Sequence, residues 1–295
     1  DEALAAQGLA LAVTLGAPMQ VDGDWDTAGH NWVALGEAAD VVYAQMPLDP
    51  TAYADGGEAE QLLNWATRHV DRYKMTMLTT ANAVDKLGES YTEMSNAEAL
   101  ASFGEIQFVD GAETVAAETA VSVALSGDAS SLEVDGTSRT YTYSYSDNDQ
   151  MRTVWLGNEA SGSYRARLAN RYQLRGMALR GLGNVEDGTR YAEAINSFTQ
   201  AGAPIDAAGA AIVWTVRDAN DGILASASGS DLTFSWDGTA DEGAYSINAD
   251  FAFGDNVVAL GGVDVAVGEV VEEVVEEEAA EEEVAEEEAP AEETA

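Results

Sequence analysis

Short apolar runs alternate with helical spacings over the first part of the chain. Leu9–Leu15 is uniformly apolar and predicts a strand buried on both faces, and Asp40–Ala44 and Lys74–Thr80 predict two more strands. Asn31–Ala38 suits a short helix. Glu58–Val70 suits a second helix, since its apolar residues fall on one side: Ala59, Leu62, Leu63 and Ala66. Strands alternating with helices are typical of a parallel α/β architecture.

The segment Val154–Leu182 carries this alternation in its most regular form. A short apolar run at its start is followed by four residues at helical spacing: Ala160, Tyr164, Leu168 and Tyr172. Arg175-Gly176 interrupts the helical pattern, and Met177–Leu179 begins a second apolar run. Strand, helix and strand in this order predict a βαβ unit, whose two strands are parallel.

Residues 88–150 interrupt the alternation, and we predict that they form a small α+β insertion in an α/β part spanning residues 1–200. Ser95 and Glu98 have the spacing of a capping box, which predicts a helix that continues through Phe103. Thr119–Leu125 and Arg139–Tyr145 have the composition of strands, and the second alternates strictly.

The remainder of the chain predicts a separate all-β module over residues 204–268, an immunoglobulin-like β-sandwich. Turn signals separate five short strands: Ala211–Val216, Ile223–Ala227, Asp231–Trp236, Ala244–Phe251 and Val263–Val267. From Glu269 onward, 14 of the last 27 residues are Glu. Like charges repel at this density, so residues 269–295 are predicted to form a disordered acidic tail.

Composition excludes several classes of function. The net charge is −40, and Lys74 and Lys86 are the only lysines, so the chain has no basic patch for nucleic acid or an anionic membrane surface. Cysteine is absent, which excludes disulfides, thiolate zinc sites and cysteine nucleophiles. His30 and His69 are the only histidines, and they give little support to a histidine-based triad. No apolar run reaches the roughly 18 residues of a membrane span.

The Val154–Leu182 segment also resembles the end of the barrel in glycoside hydrolase family 18, in the branch of spore-cortex and peptidoglycan-associated members. There, a strand ending in a V-W pair, a helix over A-x-x-Y-x-L and an L-R-G strand close the barrel. The matching residues are Val154, Trp155, Ala169, Tyr172, Leu174, Arg175, Gly176, Leu182 and Gly183. The resemblance implies the C-terminal half of a (β/α)8 barrel of TIM type, with an insertion before its last strand.

On the family template, four segments match the fifth to eighth barrel strands: Leu9–Leu15, Val41–Asp49, Lys74–Thr80 and Arg175–Leu182. The family's general acid is a glutamate in a D-x-x-D-x-E pattern that ends the fourth strand, and no strand here ends in that pattern. The family's M-x-Y-D sequence has Leu48 in place of tyrosine, and the tryptophan that usually ends the eighth strand corresponds to Arg180. The resemblance therefore implies no catalytic residue in this chain.

Ligands of barrels meet the loops after the carboxyl ends of the strands. The carbohydrate-binding candidates at these ends are Trp25, Trp32, Asp49, Tyr53 and Arg180. Aromatic rings suit the C–H faces of sugars, and carboxylates suit their hydroxyl edges. Packing remains an alternative for both tryptophans, with Trp32 pointing inward from a helix and Trp25 covering its loop. The alternative for Arg180 is a salt bridge to a loop aspartate.

A metal site has less support. Asp22, Asp24 and Asp26 have the alternating spacing of a calcium loop, but Thr27 stands where the EF-hand pattern needs Gly, and Val33 stands where it needs Glu. A solvated acidic loop is the simpler interpretation. We predict neither a metal nor a cofactor.

Together, the residues and the resemblance predict a secreted or cell-surface protein that recognises N-acetylglucosamine polymers, such as chitin or peptidoglycan, without hydrolysing them. Its other expected partner is the missing half of the barrel or another protein chain. The alternative function is a non-enzymatic structural or assembly protein that uses a degenerate barrel as a scaffold. A soluble α/β protein of unrelated function also stays open, because a fold does not fix a function.

Overall fold

The structure, a computed structural model, describes residues 2–184, 191, 196, 209–253 and 256–268. The helices in these residues are α1 (Glu2–Ala5), α2 (Trp32–Ala38), α3 (Glu58–Ala66), α4 (Asn96–Leu100) and α5 (Glu159–Arg171). Short 3₁₀ turns occupy Pro50–Tyr53, Ala101–Phe103 and Leu182–Asn184. The strands are β1 (Ala12–Leu15), β2 (Met19–Val21), β3 (Asp24–Asp26), β4 (Val41–Gln45), β5 (Met75–Thr80), β6 (Ala83–Leu87), β7 (Ser90–Met94), β8 (Ile106–Asp110), β9 (Thr114–Val115), β10 (Val121–Leu125), β11 (Glu133–Asp135), β12 (Thr140–Asp147), β13 (Gln150–Trp155), β14 (Gly176–Arg180), β15 (Ala210–Asp218), β16 (Ile223–Gly229), β17 (Thr233–Trp236), β18 (Gly243–Phe253) and β19 (Asn256–Val267).

The first sheet is parallel and has the strand order β1-β4-β5-β14. Helices α2, α3 and α5 cover one face, where they share one apolar core with the sheet, including Val42, Met75, Met77, Leu62, Leu63 and Leu168. The apolar runs and helical spacings of the sequence predicted these elements, and the mixed α/β class is confirmed. The prediction of a fully buried first strand is wrong. Ala12 and Thr14 are exposed whereas Leu15 is buried, so only one face of β1 is covered.

The predicted βαβ unit over Val154–Leu182 is also wrong. The strand before α5 is β13, and it pairs antiparallel with β12 and β6 in a different sheet. Asn148 and Asp149 between β12 and β13 both have positive φ, 51° and 62°, as a tight hairpin turn requires. This local turn fixes an antiparallel partner for β13. The true parallel neighbour of β14 is β5, from before the insertion.

The second sheet is antiparallel, with the order β11-β12-β13-β6-β7. β5 ends at Thr80 and β6 begins at Ala83, so the chain passes into the second sheet directly from the carboxyl end of a parallel strand. The β6–β7 hairpin therefore starts beside the edge where the parallel strands end. α4 begins at the predicted capping box, in which the side chains of Ser95 and Glu98 each bond the other's backbone.

Two further sheets form a β-sandwich with the orders β17-β10-β8 and β16-β15-β18-β19-β9. Their facing aromatic residues pack together, as Trp214 stacks on Phe234 with ring centroids 5.8 Å apart. The residues predicted to form one insertion, 88–150, are shared between the second sheet and the sandwich in the structure. β10 pairs with β17, and β9 pairs with β19, and the buried side of β10 contributes to the core of the sandwich. Residues 106–125 therefore belong with the sandwich predicted over 204–268.

The predicted acidic tail over residues 269–295 lies outside the described residues. Within the part of the chain that the structure describes, no helix is long and apolar enough to cross a membrane.

Candidate functional site

The carboxyl ends of β4, β5 and β14 meet at one edge of the parallel sheet, and this edge gathers residues distant in sequence. Arg180 is the last residue of β14. Asp49 precedes the 3₁₀ turn that follows β4, and Tyr53 is the last residue of that turn. Asp49 caps that turn, as its Oδ1 accepts from the Thr51 backbone N–H at 2.8 Å and the Thr51 hydroxyl at 2.7 Å. Three of the five predicted binding residues therefore share this edge.

Tyr53 forms the inner layer of this edge with Thr79 and Arg165. The Tyr53 hydroxyl donates to the Pro47 carbonyl at 3.0 Å and lies 3.0 Å from Thr79 Oγ1. Arg165 Nη1 donates to Thr79 Oγ1 at 3.1 Å and to the Thr80 carbonyl at 2.9 Å, and its guanidinium lies 4.7 Å from the Tyr53 ring centroid. Tyr53 is only 1% exposed, so its role is to position neighbours rather than to touch a ligand.

The outer layer consists of Asp49, Arg180 and three residues of the β6–β7 hairpin. The Tyr91 hydroxyl donates to Asp49 Oδ2 at 2.8 Å, and Arg180 forms an ion pair with Glu93. Lys86 Nζ lies 5.1 Å from the Tyr91 ring centroid. The salt bridge considered for Arg180 therefore exists, but its partner is a strand glutamate. We call Asp49, Tyr91, Glu93 and Arg180, with Tyr53 beneath them, the strand-end site.

Burial and charge shift several pKa values here. Burial raises the pKa of Tyr53, against the opposing effect of Arg165. Burial also raises the pKa of Tyr91, and the hydrogen bond to Tyr91 raises the pKa of Lys86. At neutral pH both phenols therefore keep their protons, and Lys86 stays charged. The hydroxyl of Tyr91 remains a donor, which fits its bond to Asp49.

The strand-end site offers fixed donors and acceptors. Asp49 and Glu93 each accept from a donor of the site. Asp49 and Arg180 are half-buried, so a ligand that reaches this edge would meet both signs of charge. Among the described residues, no group of three or more His, Asp or Glu side chains is arranged to hold a metal ion.

The two predicted tryptophans lie elsewhere. Trp32, the first residue of α2, is 3% exposed and packs edge-on against Trp65 at 5.1 Å between ring centroids. Its indole has no free face, which favours the packing alternative. Trp25 lies on β3 and is half-buried, with its ring 6.2 Å from that of Trp65. Asp22 lies in the turn of the β2–β3 hairpin, and Asp24 lies on β3, so a hairpin explains their spacing.

Sequence reasoning missed four residues of this region: Thr79, Tyr91, Glu93 and Arg165. Arg165 lies off the helical row of Ala160, Tyr164, Leu168 and Tyr172, yet it is 4% exposed. Tyr91 and Glu93 are two residues apart on one strand, so they were recognisable as sharing a face. Nothing in the sequence indicated that this face meets the end of the parallel sheet.

No protein-family model matches the chain, and no curated protein matches it. Several solved structures are similar in part. A chitinase from Chromobacterium violaceum ATCC 12472 has 24% identity and a TM-score of 0.45, over 67% of this chain and 58% of that one. The spore cortex-lytic enzyme SleL of Bacillus megaterium QM B1551 has 20% identity and a TM-score of 0.44, over 66% and 42%. A glycoside hydrolase family 18 N-acetylglucosaminidase from Paenibacillus barengoltzii has 14% identity and a TM-score of 0.44, over 67% and 60%. The chain thus spans about half the length of these structures.

Proposed function

We propose that this protein recognises N-acetylglucosamine polymers, such as chitin or the glycan of peptidoglycan, through the strand-end site. The observation that carries the proposal is the meeting of Asp49 and Arg180 at the carboxyl edge of a parallel sheet, beside Tyr91 and Glu93. Sugar hydroxyls and acetamido groups both donate and accept hydrogen bonds. A fixed set of carboxylate acceptors, with a guanidinium and a phenol as donors, is matched to such a ligand.

The proposed role is binding without hydrolysis by this chain. Cleavage of a glycosidic bond needs a carboxylic acid that protonates the leaving oxygen. The family's D-x-x-D-x-E glutamate has no counterpart at the end of a strand here, and Leu48 cannot hydrogen bond to the acetamido group. The resemblance would place the acid in the other half of a barrel, which the two edge strands β1 and β14 could pair with.

Calorimetric titration with the hexamer of N-acetylglucosamine tests this proposal. Asp49→Ala and Arg180→Met should each weaken binding about tenfold, the loss of one or two hydrogen bonds to a charged group. Glu89→Ala is the matched control, because Glu89 is exposed at the tip of the same hairpin. Equal affinity in all four proteins, or no binding of the hexamer by the unaltered chain, would exclude the strand-end site. Release of shorter sugars by the purified chain would contradict the non-catalytic role.

The second candidate function is that of a structural protein, in which the residues of this edge hold the parallel sheet and the β6–β7 hairpin together. It is favoured by the mutual pairing of the outer layer, in which Tyr91 bonds Asp49 and Glu93 bonds Arg180. This structural role predicts that Asp49→Ala and Arg180→Met lower the unfolding temperature and that no glycan binds at the strand-end site. The calorimetric and thermal measurements on the same variants therefore separate the two candidates.

We further propose that the β-sandwich is immunoglobulin-like and that the protein is secreted or displayed at the cell surface. The mainly antiparallel strands and the aromatic core of the sandwich support the first proposal. The net charge of −40 is compatible with an exposed, highly solvated protein. Fractionation of the native cells with an antibody to this chain tests the location, and recovery only from the cytosol would exclude it.

A further inference from the structure

A groove on the solvent side of α3 lies apart from the strand-end site. One side of α3 is buried, and the opposite stripe carries Gln61, Asn64 and Trp65, with Arg68 just beyond the helix end. The β2–β3 hairpin lies against this stripe. Hairpin and stripe enclose a groove of about 360 Å³, which we call the outer groove: it is lined by Gln20, Asp24, Trp25, Gln61, Asn64, Trp65 and Arg68.

The hairpin holds its side of the groove in a defined conformation. Asp22 and Gly23 have φ values of 51° and 88°, as a two-residue hairpin turn requires, and Gln20 pairs with Trp25 across the strands. Paired residues share one face of a hairpin, so both side chains project toward α3. Gln20 Nε2 donates to Gln61 Oε1 at 3.4 Å, a long bond that a ligand hydroxyl could replace.

The chemistry of the lining indicates a ligand class. Trp25 and Trp65 are both half-buried, and their rings are 6.2 Å apart and tilted by 38°. An indole face attracts the C–H groups of a sugar ring. The amides of Gln20, Gln61 and Asn64 donate and accept, as sugar hydroxyls do.

Charge restricts the ligand further. Asp24 and Arg68 contribute one charge of each sign to the groove. The net charge of −40 disfavours an anionic ligand, and within the groove the charges of Asp24 and Arg68 offset each other. We propose that the outer groove binds a neutral oligosaccharide, with one sugar ring stacked on the indole of Trp25. The proposal does not rest on the strand-end site, because the two sites share no residue.

Titration of tryptophan emission and of heat with two neutral hexamers, cellohexaose and the N-acetylglucosamine hexamer, tests the outer groove. An Asp49→Ala/Arg180→Met background keeps the result independent of the strand-end site. In that background at least one hexamer should still bind and change the emission, and Trp25→Ala should weaken this binding about tenfold or more. Tyr73→Ala is the control, because Tyr73 is an exposed aromatic residue outside the groove.

A second variant guards against a folding defect in Trp25→Ala. Gln61 and Asn64 are exposed, and Gln61 Nε2 donates to the Gly56 carbonyl at 2.9 Å. Gln61→Ala/Asn64→Ala should therefore keep the circular dichroism of the parent, with only a small fall in unfolding temperature, while losing hexamer affinity. If neither hexamer binds the Asp49→Ala/Arg180→Met background, the proposal is overturned. Binding that survives the Gln61→Ala/Asn64→Ala change at full affinity would overturn it equally.

Discussion

Replacement of Tyr53 by Phe removes a single oxygen atom from beneath the strand-end site. The hydroxyl donates to the Pro47 carbonyl and bonds Thr79 Oγ1, both at 3.0 Å. Each hydrogen bond contributes a net of about 0.5–1.5 kcal/mol. Thr79 keeps its bond from Arg165, whereas the Pro47 carbonyl loses the Tyr53 donor. We therefore expect Tyr53→Phe to lower the free energy of unfolding by about 2 kcal/mol.

Urea denaturation followed by far-ultraviolet circular dichroism measures this change. Tyr73→Phe is the matched control, since Tyr73 is 62% exposed and its hydroxyl only accepts from the neighbouring Arg72 at 3.3 Å. In a thermal scan, a loss of about 2 kcal/mol corresponds to a fall in Tm of roughly 4–8 °C for a domain of this size. Identical urea midpoints for the two variants would refute the energetic role assigned to the buried hydroxyl.

Tyr53→Phe also tests whether Tyr53 positions its neighbours or contacts the ligand itself. Because Tyr53 is 1% exposed, its hydroxyl cannot reach a ligand, and the ring of Phe keeps the stacking with Arg165. Tyr53→Phe should therefore bind the N-acetylglucosamine hexamer with nearly unchanged affinity, in contrast to Asp49→Ala. A large loss of affinity at preserved fold would mean that Tyr53 becomes accessible when glycan binds.

Three further variants test other parts of the fold. Ser95→Ala removes the capping box of α4 and should lower the free energy of unfolding by about 1 kcal/mol. Glu98→Gln should lower Tm at pH 7, and this effect should shrink as the solution is acidified. Hydrogen bonds from Ser95 lower the pKa of Glu98, so the stability that Glu98 contributes is present above the ordinary pKa of 4.5 and is lost as pH falls through the lower folded pKa. An equal effect of Glu98→Gln at pH 7 and pH 2 would contradict this. Gly157→Ala should lower the free energy of unfolding by about 1–3 kcal/mol, because a Cβ there would lie 1.9 Å from the Ala81 carbonyl oxygen. Gly136→Ala is the control in the same denaturation assay, because a Cβ at Gly136 would meet open space.

The sequence predicts the parallel sheet well because its signal is local. Lys74–Thr80 was predicted as a strand and forms β5 over Met75–Thr80, and the predicted second strand forms β4. The same signal fails for β13, since an apolar run such as Val154 to Leu156 is compatible with a parallel or an antiparallel partner. The turn at Asn148-Asp149, whose positive φ values fix the hairpin, carried the information that decides between them.

Long-range partners explain most of what sequence could not predict. Arg165 belongs to a helix whose apolar row was recognised, but its burial depends on Tyr53 and Thr79 from elements far away in the chain. Asp49 and Arg180 could be predicted to meet because both follow parallel strands. The role of Trp65 could not be predicted, since its aromatic partners Trp25 and Trp32 come from the β2–β3 hairpin and from α2, which the sequence does not place beside α3.

Strands β8, β9 and β10 limit how this protein can evolve by gene rearrangement. A gene rearrangement that transfers residues 209–268 alone would leave β8 and β10 behind. The aromatic side chains of the sandwich would then lose much of their cover. Only a rearrangement that carries both stretches keeps the core closed. The sandwich and the α/β part are therefore expected to be inherited together, with new specificities arising through changes in surface residues rather than through exchange of whole modules.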